Sequence, residues 1–147
     1  MSEDAATHEY QKLWIRRESL TQKKKRASVI FRRLHREYPK AKIVLRYQNP
    51  MQLLAAVILS QQATDKKVNE VTATLFRNYK TVDDFANADQ KKFEQEIRQT
   101  GFYRQKAKSI IASARMIREK FSGKVPRTMH DILMLRGVAR KTANVVL

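Results

Sequence analysis

The segment Leu135-Arg-Gly-Val-Ala-Arg-Lys-Thr-Ala-Asn-Val-Val-Leu147 holds the residue types most suited to chemistry. Gly137 marks a tight turn between a short helix and a second helix that begins at Arg140, with the small Ala143 on its inner side. This is a helix–hairpin–helix pattern. Successive backbone N–H groups in such a turn, together with the open N-terminus of the following helix, make a small anion site suited to a phosphate. An ordinary helix–helix corner with one glycine has the same outline. Lys141 falls in the first turn of the second helix, beside Arg140, where the helix dipole and the neighbouring cation both disfavour an ammonium. An amine is a nucleophile only when uncharged, so the position suits nucleophilic chemistry, although most lysines are simply solvated surface charges.

These residues must be positioned by a helical scaffold. The 147 residues carry 31 Lys+Arg against 14 Asp+Glu, a formal charge of +17, with no cysteine. The length suits one domain with an appendage. The absence of cysteine excludes disulfides, cysteine-held zinc and an iron–sulfur cluster bound by this chain alone. No apolar run approaches the roughly 20 residues of a membrane span. The first residues carry acid and no apolar stretch, which argues against a secretory signal. Between Gln22 and Tyr47 ten Lys/Arg face one acid, Glu37. Such a run suits phosphate backbone first, with anionic lipid, an acidic protein or a plain solubilising arm as alternatives. Lys23 to Arg26 belongs to this arm. His8, His35 and His130 show no metal-ligand spacing.

Residues 1–22 read as a flexible lead-in and 23–48 as a basic N-terminal helix with its linker, the helix itself running from Ala27 to Tyr38 and stopped by Pro39. Residues 49–147 read as an incomplete helical domain ending in the helix–hairpin–helix at 129–147. Asn49-Pro50 is a cap followed by proline at the first helical position, and Pro50 to Gln61 is apolar nearly all round, hence a buried central helix. Thr64 or Asp65 caps the next, with Val68, Val71, Leu75 and Tyr79 on one face. Thr81 to Asp84 has the form of a capping box. Asp89 opens another helix, with Gly101 as its left-handed stop. Arg104 to Phe121 carries an apolar stripe from Ala107 to Ile117. No segment alternates like a strand, so the expected fold is all-α, a multi-helix bundle.

The hairpin resembles the helix–hairpin–helix DNA glycosylase superfamily (HhH-GPD), most closely its endonuclease III branch. It matches the family pattern Leu-Pro-Gly-Val-Gly-Arg-Lys-Thr-Ala-Asn-Val-Val-Leu except at Arg136 and Ala139. A second signature stands as Leu59-Ser-Gln-Gln-Ala-Thr-Asp65, and a third as Gly101-Phe-Tyr-Arg-Gln-Lys-Ala107. The resemblance covers about Asn49 to Leu147. It implies a DNA glycosylase and abasic-site lyase of base excision repair, acting on oxidised pyrimidines in double-stranded DNA. Lys141 would be the catalytic amine that attacks C1′ of the damaged nucleotide and forms a Schiff base. Gln62 would fill the gap left by the extruded nucleotide, or else only end a helix. Phe102 would wedge into the opposite strand, or else pack in the core beside Tyr103. Arg104 and Lys106 read as phosphate contacts or as a solvated helix face. Arg136, Gly137, Val138, Ala139, Arg140 and Thr142 would hold DNA through the hairpin.

Arg136 replaces the family's proline, adding charge and losing rigidity. Ala139 replaces a glycine, which costs on the order of 1 kcal/mol if that position requires a positive φ and nothing if it requires only a small side chain. The family's catalytic aspartate and the four cysteines of its [4Fe–4S] cluster lie beyond the hairpin helix. The sequence is therefore expected to be the N-terminal part of a longer enzyme, with no cofactor in this chain and a cluster in the full-length form. Such a fragment should bind DNA weakly and excise bases poorly. Its N-terminal helix should show an uncovered apolar face at Ile30, Phe31 and Leu34. The adenine-excising branch is disfavoured because Val57 stands where that branch carries glutamate. A non-catalytic DNA-binding module and an inert truncation product are the rival readings. The family precedent implies a monomer in the cytoplasm, associated with the nucleoid and neither secreted nor membrane-bound.

Overall fold

Capping residues set most of the helix starts in the computed structural model, which describes residues 18–147. Among these residues there are eight α-helices, one 3-10 helix and no strand. Contacts divide the chain after Lys42 into two units. The first contains α1 (Leu20–Glu37), which starts seven residues before the position expected from apolar periodicity. Its polar first turns are secured by a capping box: Ser19 Oγ accepts from the Gln22 amide, and Gln22 Oε1 accepts from the Ser19 amide at 2.8 Å. Ile30, Phe31 and Leu34 are all exposed on this helix, as expected, and it buries no residue. The expected lead-in at 1–22 falls mostly outside the described residues, and so does His8; its last three residues are helical.

The second unit, 43–147, holds the core. It takes in residues 43–48, which the sequence assigns to the linker. Asn69 Oδ1 accepts from the Arg46 amide at 2.9 Å, its Nδ2 donates to the Val44 carbonyl at 3.0 Å, and Leu45 is buried. Helix α2 (Pro50–Leu59) buries every residue from Met51 to Leu59, as its unbroken apolar run requires. The buried Gln52 is satisfied by the Gln48 amide and the Tyr79 carbonyl. Around α2 lie α3 (Asp65–Asn78), capped by Thr64, then α6 (Tyr103–Lys120) and α8 (Arg140–Val146).

Helices α4 (Val82–Ala86) and α5 (Gln90–Glu96) pack on α6 and bring Tyr79, Phe85 and Phe93 together, with ring centroids 5.0 to 6.2 Å apart. The 3-10 helix Arg98–Thr100 follows α5, and α7 (Met129–Ile132) precedes the hairpin. Gly101 has φ 69° and ψ 159°, a positive φ but an extended ψ, so the left-handed residue at this junction is Phe102. No helix among the described residues is long and apolar enough to cross a membrane.

Candidate active site

The hairpin between α7 and α8 is held from behind by α6. Gly137 has φ +77°, and a Cβ placed there would lie 2.7 Å from Ser109 Cβ, so only glycine satisfies both the backbone and the contact. Ser113 Oγ donates to the Arg136 carbonyl at 2.9 Å. Gln61 Nε2 donates to the Gly137 carbonyl at 3.1 Å and lies 3.5 Å from Thr142 Oγ1. The Val138 amide closes the turn onto the Leu135 carbonyl, and Val138 itself is buried. Ala139 has φ −96° and ψ 173°, ordinary extended backbone, so alanine there carries no conformational strain. It provides no side-chain cap, and the first-turn amides of α8 find no side-chain acceptor among the described residues.

Arg136, Arg140 and Lys141 are exposed about this turn, and no salt bridge among the described residues engages them. Thr142, by contrast, is buried. Lys141 projects into a cavity of about 280 Å³ whose lining includes Gln62, Ser60, Asp65, Thr142 and Val57. The lysine and the glutamine, 79 positions apart in the chain, therefore face one space. The cavity does not include Phe102 or Arg104.

Gln62 and Phe102 share an unusual feature. Both are exposed non-glycine residues in left-handed backbone, with φ 55° and 47°. Phe102 is 69% exposed, which removes the core-packing alternative. Ser122, at φ 51°, is the third such residue among those described, and strain of this kind persists only where the surrounding fold holds it. Arg104 lies in the first turn of α6, with its guanidinium carbon 5.6 Å from the Tyr103 ring centroid.

Lys106 departs from expectation. It is neither a phosphate contact nor part of a solvated face: it is 3% exposed, and its ammonium donates to the Leu59 and Thr100 carbonyls at 2.8 and 2.7 Å. Burial holds its pKa below the ordinary lysine value. Its position at i−1 to Ala107, on the edge of the apolar stripe, is the signal that could have shown it inside. Sequence reasoning also misses Asp65, Ser60 and Gln61 as site residues. Asp65 reads only as a possible cap, and the signal for Gln61 is a polar pair directly after a fully apolar helix.

The donor set does not fit an iron–sulfur cluster. The chain has no cysteine to provide a thiolate, and no group of three or more potential metal ligands occurs among the described residues.

Comparison with known proteins identifies the family and the fold. Residues 55–145 match the family described as HhH-GPD superfamily base excision DNA repair protein. The chain is 49% identical to an endonuclease III of Synechocystis sp. over 87% of its own length and 58% of the relative's, and 45% identical to that of Bacillus subtilis over 74% and 50%. It thus spans about half the length of these relatives. The solved structure of a trapped endonuclease III–DNA covalent intermediate superposes with a TM-score of 0.73 at 41% identity, covering 84% of this chain and 58% of that one. A thermostable thymine-DNA glycosylase, at 23% identity and a TM-score of 0.71, is similar in fold alone.

Proposed function

The chain belongs to the HhH-GPD superfamily of base excision DNA repair proteins, and from that premise we propose that it forms the lysine-bearing half of a DNA glycosylase and abasic-site lyase of endonuclease III type. The substrates are oxidised pyrimidine nucleotides and abasic sites in double-stranded DNA. The observation that carries this reading is the shared cavity of Lys141 and Gln62: an exposed primary amine at the start of α8 faces the residue proposed to replace an extruded nucleotide.

In this mechanism the exposed cations around the hairpin and its first-turn amides hold duplex phosphates, a contact that weakens as salt rises. Phe102 and Gln62 enter the base stack as the damaged nucleotide leaves it. The Lys141 amine then forms a bond to C1′ as the bond from C1′ to the base breaks, the base departs with a proton, and cleavage of the C1′–O4′ bond opens the sugar to the imine. On an abasic site the same amine condenses with the C1′ aldehyde and releases water. Loss of the C2′ proton and cleavage of the C3′–oxygen bond free the 3′ strand. Water then hydrolyses the imine and returns the lysine. The reading implies a monomer working in the cytoplasm with the nucleoid.

Borohydride reduction on an abasic-site duplex tests it. A covalent protein–DNA adduct is expected, and Lys141→Gln is expected to abolish it. An undiminished adduct in that variant removes Lys141 from the role. The open hairpin amides also support a second reading, a DNA-binding module without chemistry. Such a module would bind the duplex and leave both the strand and the trap unreacted.

A further inference from the structure

Among the described residues Lys106 is the only charged side chain that is buried, and neither the reaction nor phosphate contact uses it. Burying an ammonium is costly unless its partners repay the loss of water. Among the described residues no carboxylate bonds to it. Its partners are two main-chain carbonyls, and both stand at the C-terminal ends of helices: Leu59 is the last residue of α2, and Thr100 the last of the 3-10 helix. Carbonyls at helix ends lack amide partners within the helix and carry the negative end of its dipole, so a cation between two of them is well placed.

The residues just downstream of each carbonyl give the arrangement its meaning. Three residues beyond Leu59 is Gln62, and two beyond Thr100 is Phe102, both in left-handed backbone. The two carbonyl oxygens are brought within two hydrogen-bond lengths of one another by a single nitrogen. We propose that Lys106 is a positioning residue whose buried ammonium clamps these carbonyls and so fixes the separation of the Gln62 and Phe102 turns. The proposal rests on the reading of those two residues as the pair that enters the base stack. Strained turns hold their shape only where their surroundings over-determine it, and the clamp supplies that restraint at the root of both. The two side chains then reach the duplex as one rigid device rather than as two independent turns.

A duplex carrying a tetrahydrofuran abasic analogue opposite 2-aminopurine reports the unstacking as a rise in fluorescence. Lys106→Met is expected to hold its affinity for undamaged duplex within about twofold while the fluorescence rise and the borohydride-trapped yield on an abasic-site duplex each fall about tenfold, the scale of a small misplacement. Lys106→Gln, whose amide keeps two N–H donors, should recover part of both signals. Unchanged signals in Lys106→Met overturn the clamp. So does an equal loss on undamaged duplex, which marks a general structural role.

Should Lys106→Met fail to fold, two exposed positions decide. Gln62→Ala and Phe102→Ala together are expected to lose no more than about twofold beyond the worse single variant in fluorescence, whereas multiplicative losses refute the clamp. A wild-type chain that gives neither fluorescence rise nor adduct takes the functional reading down with it. Failure of the clamp alone leaves wild type active.

Discussion

Replacing Gly137 by alanine tests the hairpin's seat on α6. The perturbation has two separable parts. The φ of +77° places any L side chain in the left-handed region, and the new Cβ would stand 2.7 Å from Ser109 Cβ and 2.8 Å from its Oγ. Ser109 is buried on the inner side of α6, and a Cβ cannot rotate away, so the clash falls on backbone positions. The conformational part costs about 1 kcal/mol and the overpacking about 1–3 kcal/mol, together about 2–4 kcal/mol. Urea unfolding followed by circular dichroism measures the sum, and a double-mutant cycle separates it. Ser109→Gly removes both clashing atoms at its own cost of about 1 kcal/mol for a helix interior. In that background Gly137→Ala should cost only the conformational part, about 1 kcal/mol. Ser109→Ala keeps the Cβ and should relieve little. If Gly137→Ala costs the same with serine, alanine or glycine at position 109, the hairpin does not rest on this contact and the reasoning fails.

Two further stability predictions concern the scaffold. Asn49 Oδ1 accepts from the Gln52 amide at 3.0 Å and its Nδ2 donates to the Lys80 carbonyl at 2.9 Å, so Asn49→Ala should lower the urea unfolding free energy by about 1–2 kcal/mol. Burial, then the 2.8 Å bond from its hydroxyl to Glu96, holds the Tyr79 pKa above the ordinary tyrosine value. The folded state therefore keeps this proton where the unfolded chain releases it, and stability should fall as pH rises above about 10. Lys106, with its folded pKa lowered by burial, acts in the opposite direction over the alkaline range. Tyr79→Phe removes only the first effect, so its urea midpoint should decline less between neutral and strongly alkaline pH than that of wild type. An identical decline in both proteins would dissociate Tyr79 from the alkaline loss.

The parts of the fold legible in the sequence are those set by near neighbours. Asn49-Pro50, Thr64 and Thr81 to Asp84 mark helix starts because a cap acts over three residues. The unbroken apolar run from Leu53 to Leu59 admits only a central helix. Apolar periodicity starts α1 too late because residues 21 to 26 are polar and offer no stripe, although Ser19 and Gln22 carry the capping-box spacing. The doubt about Ala139 lies in a dihedral angle that residue identity alone leaves open, and its extended backbone resolves it.

The site divides on the same line. The hairpin and its lysine are local, and the sequence shows them. That Lys141 and Gln62 share a cavity is a matter of α2 packing against α8, which no spacing along the chain expresses. Lys106 is the sharpest case. In a chain with 31 basic residues another lysine in the first turns of an amphipathic helix reads as a surface charge, since charge runs almost always face water. Its burial depends on two carbonyls from elements 47 and 6 residues away, each left open because a helix ends there. The requirement for a cation is thus created by the termination of other helices and not by anything beside Lys106 in the chain. Buried charges of this kind are therefore best sought from the acceptor's side, by asking which helix-end carbonyls a fold encloses and what reaches them.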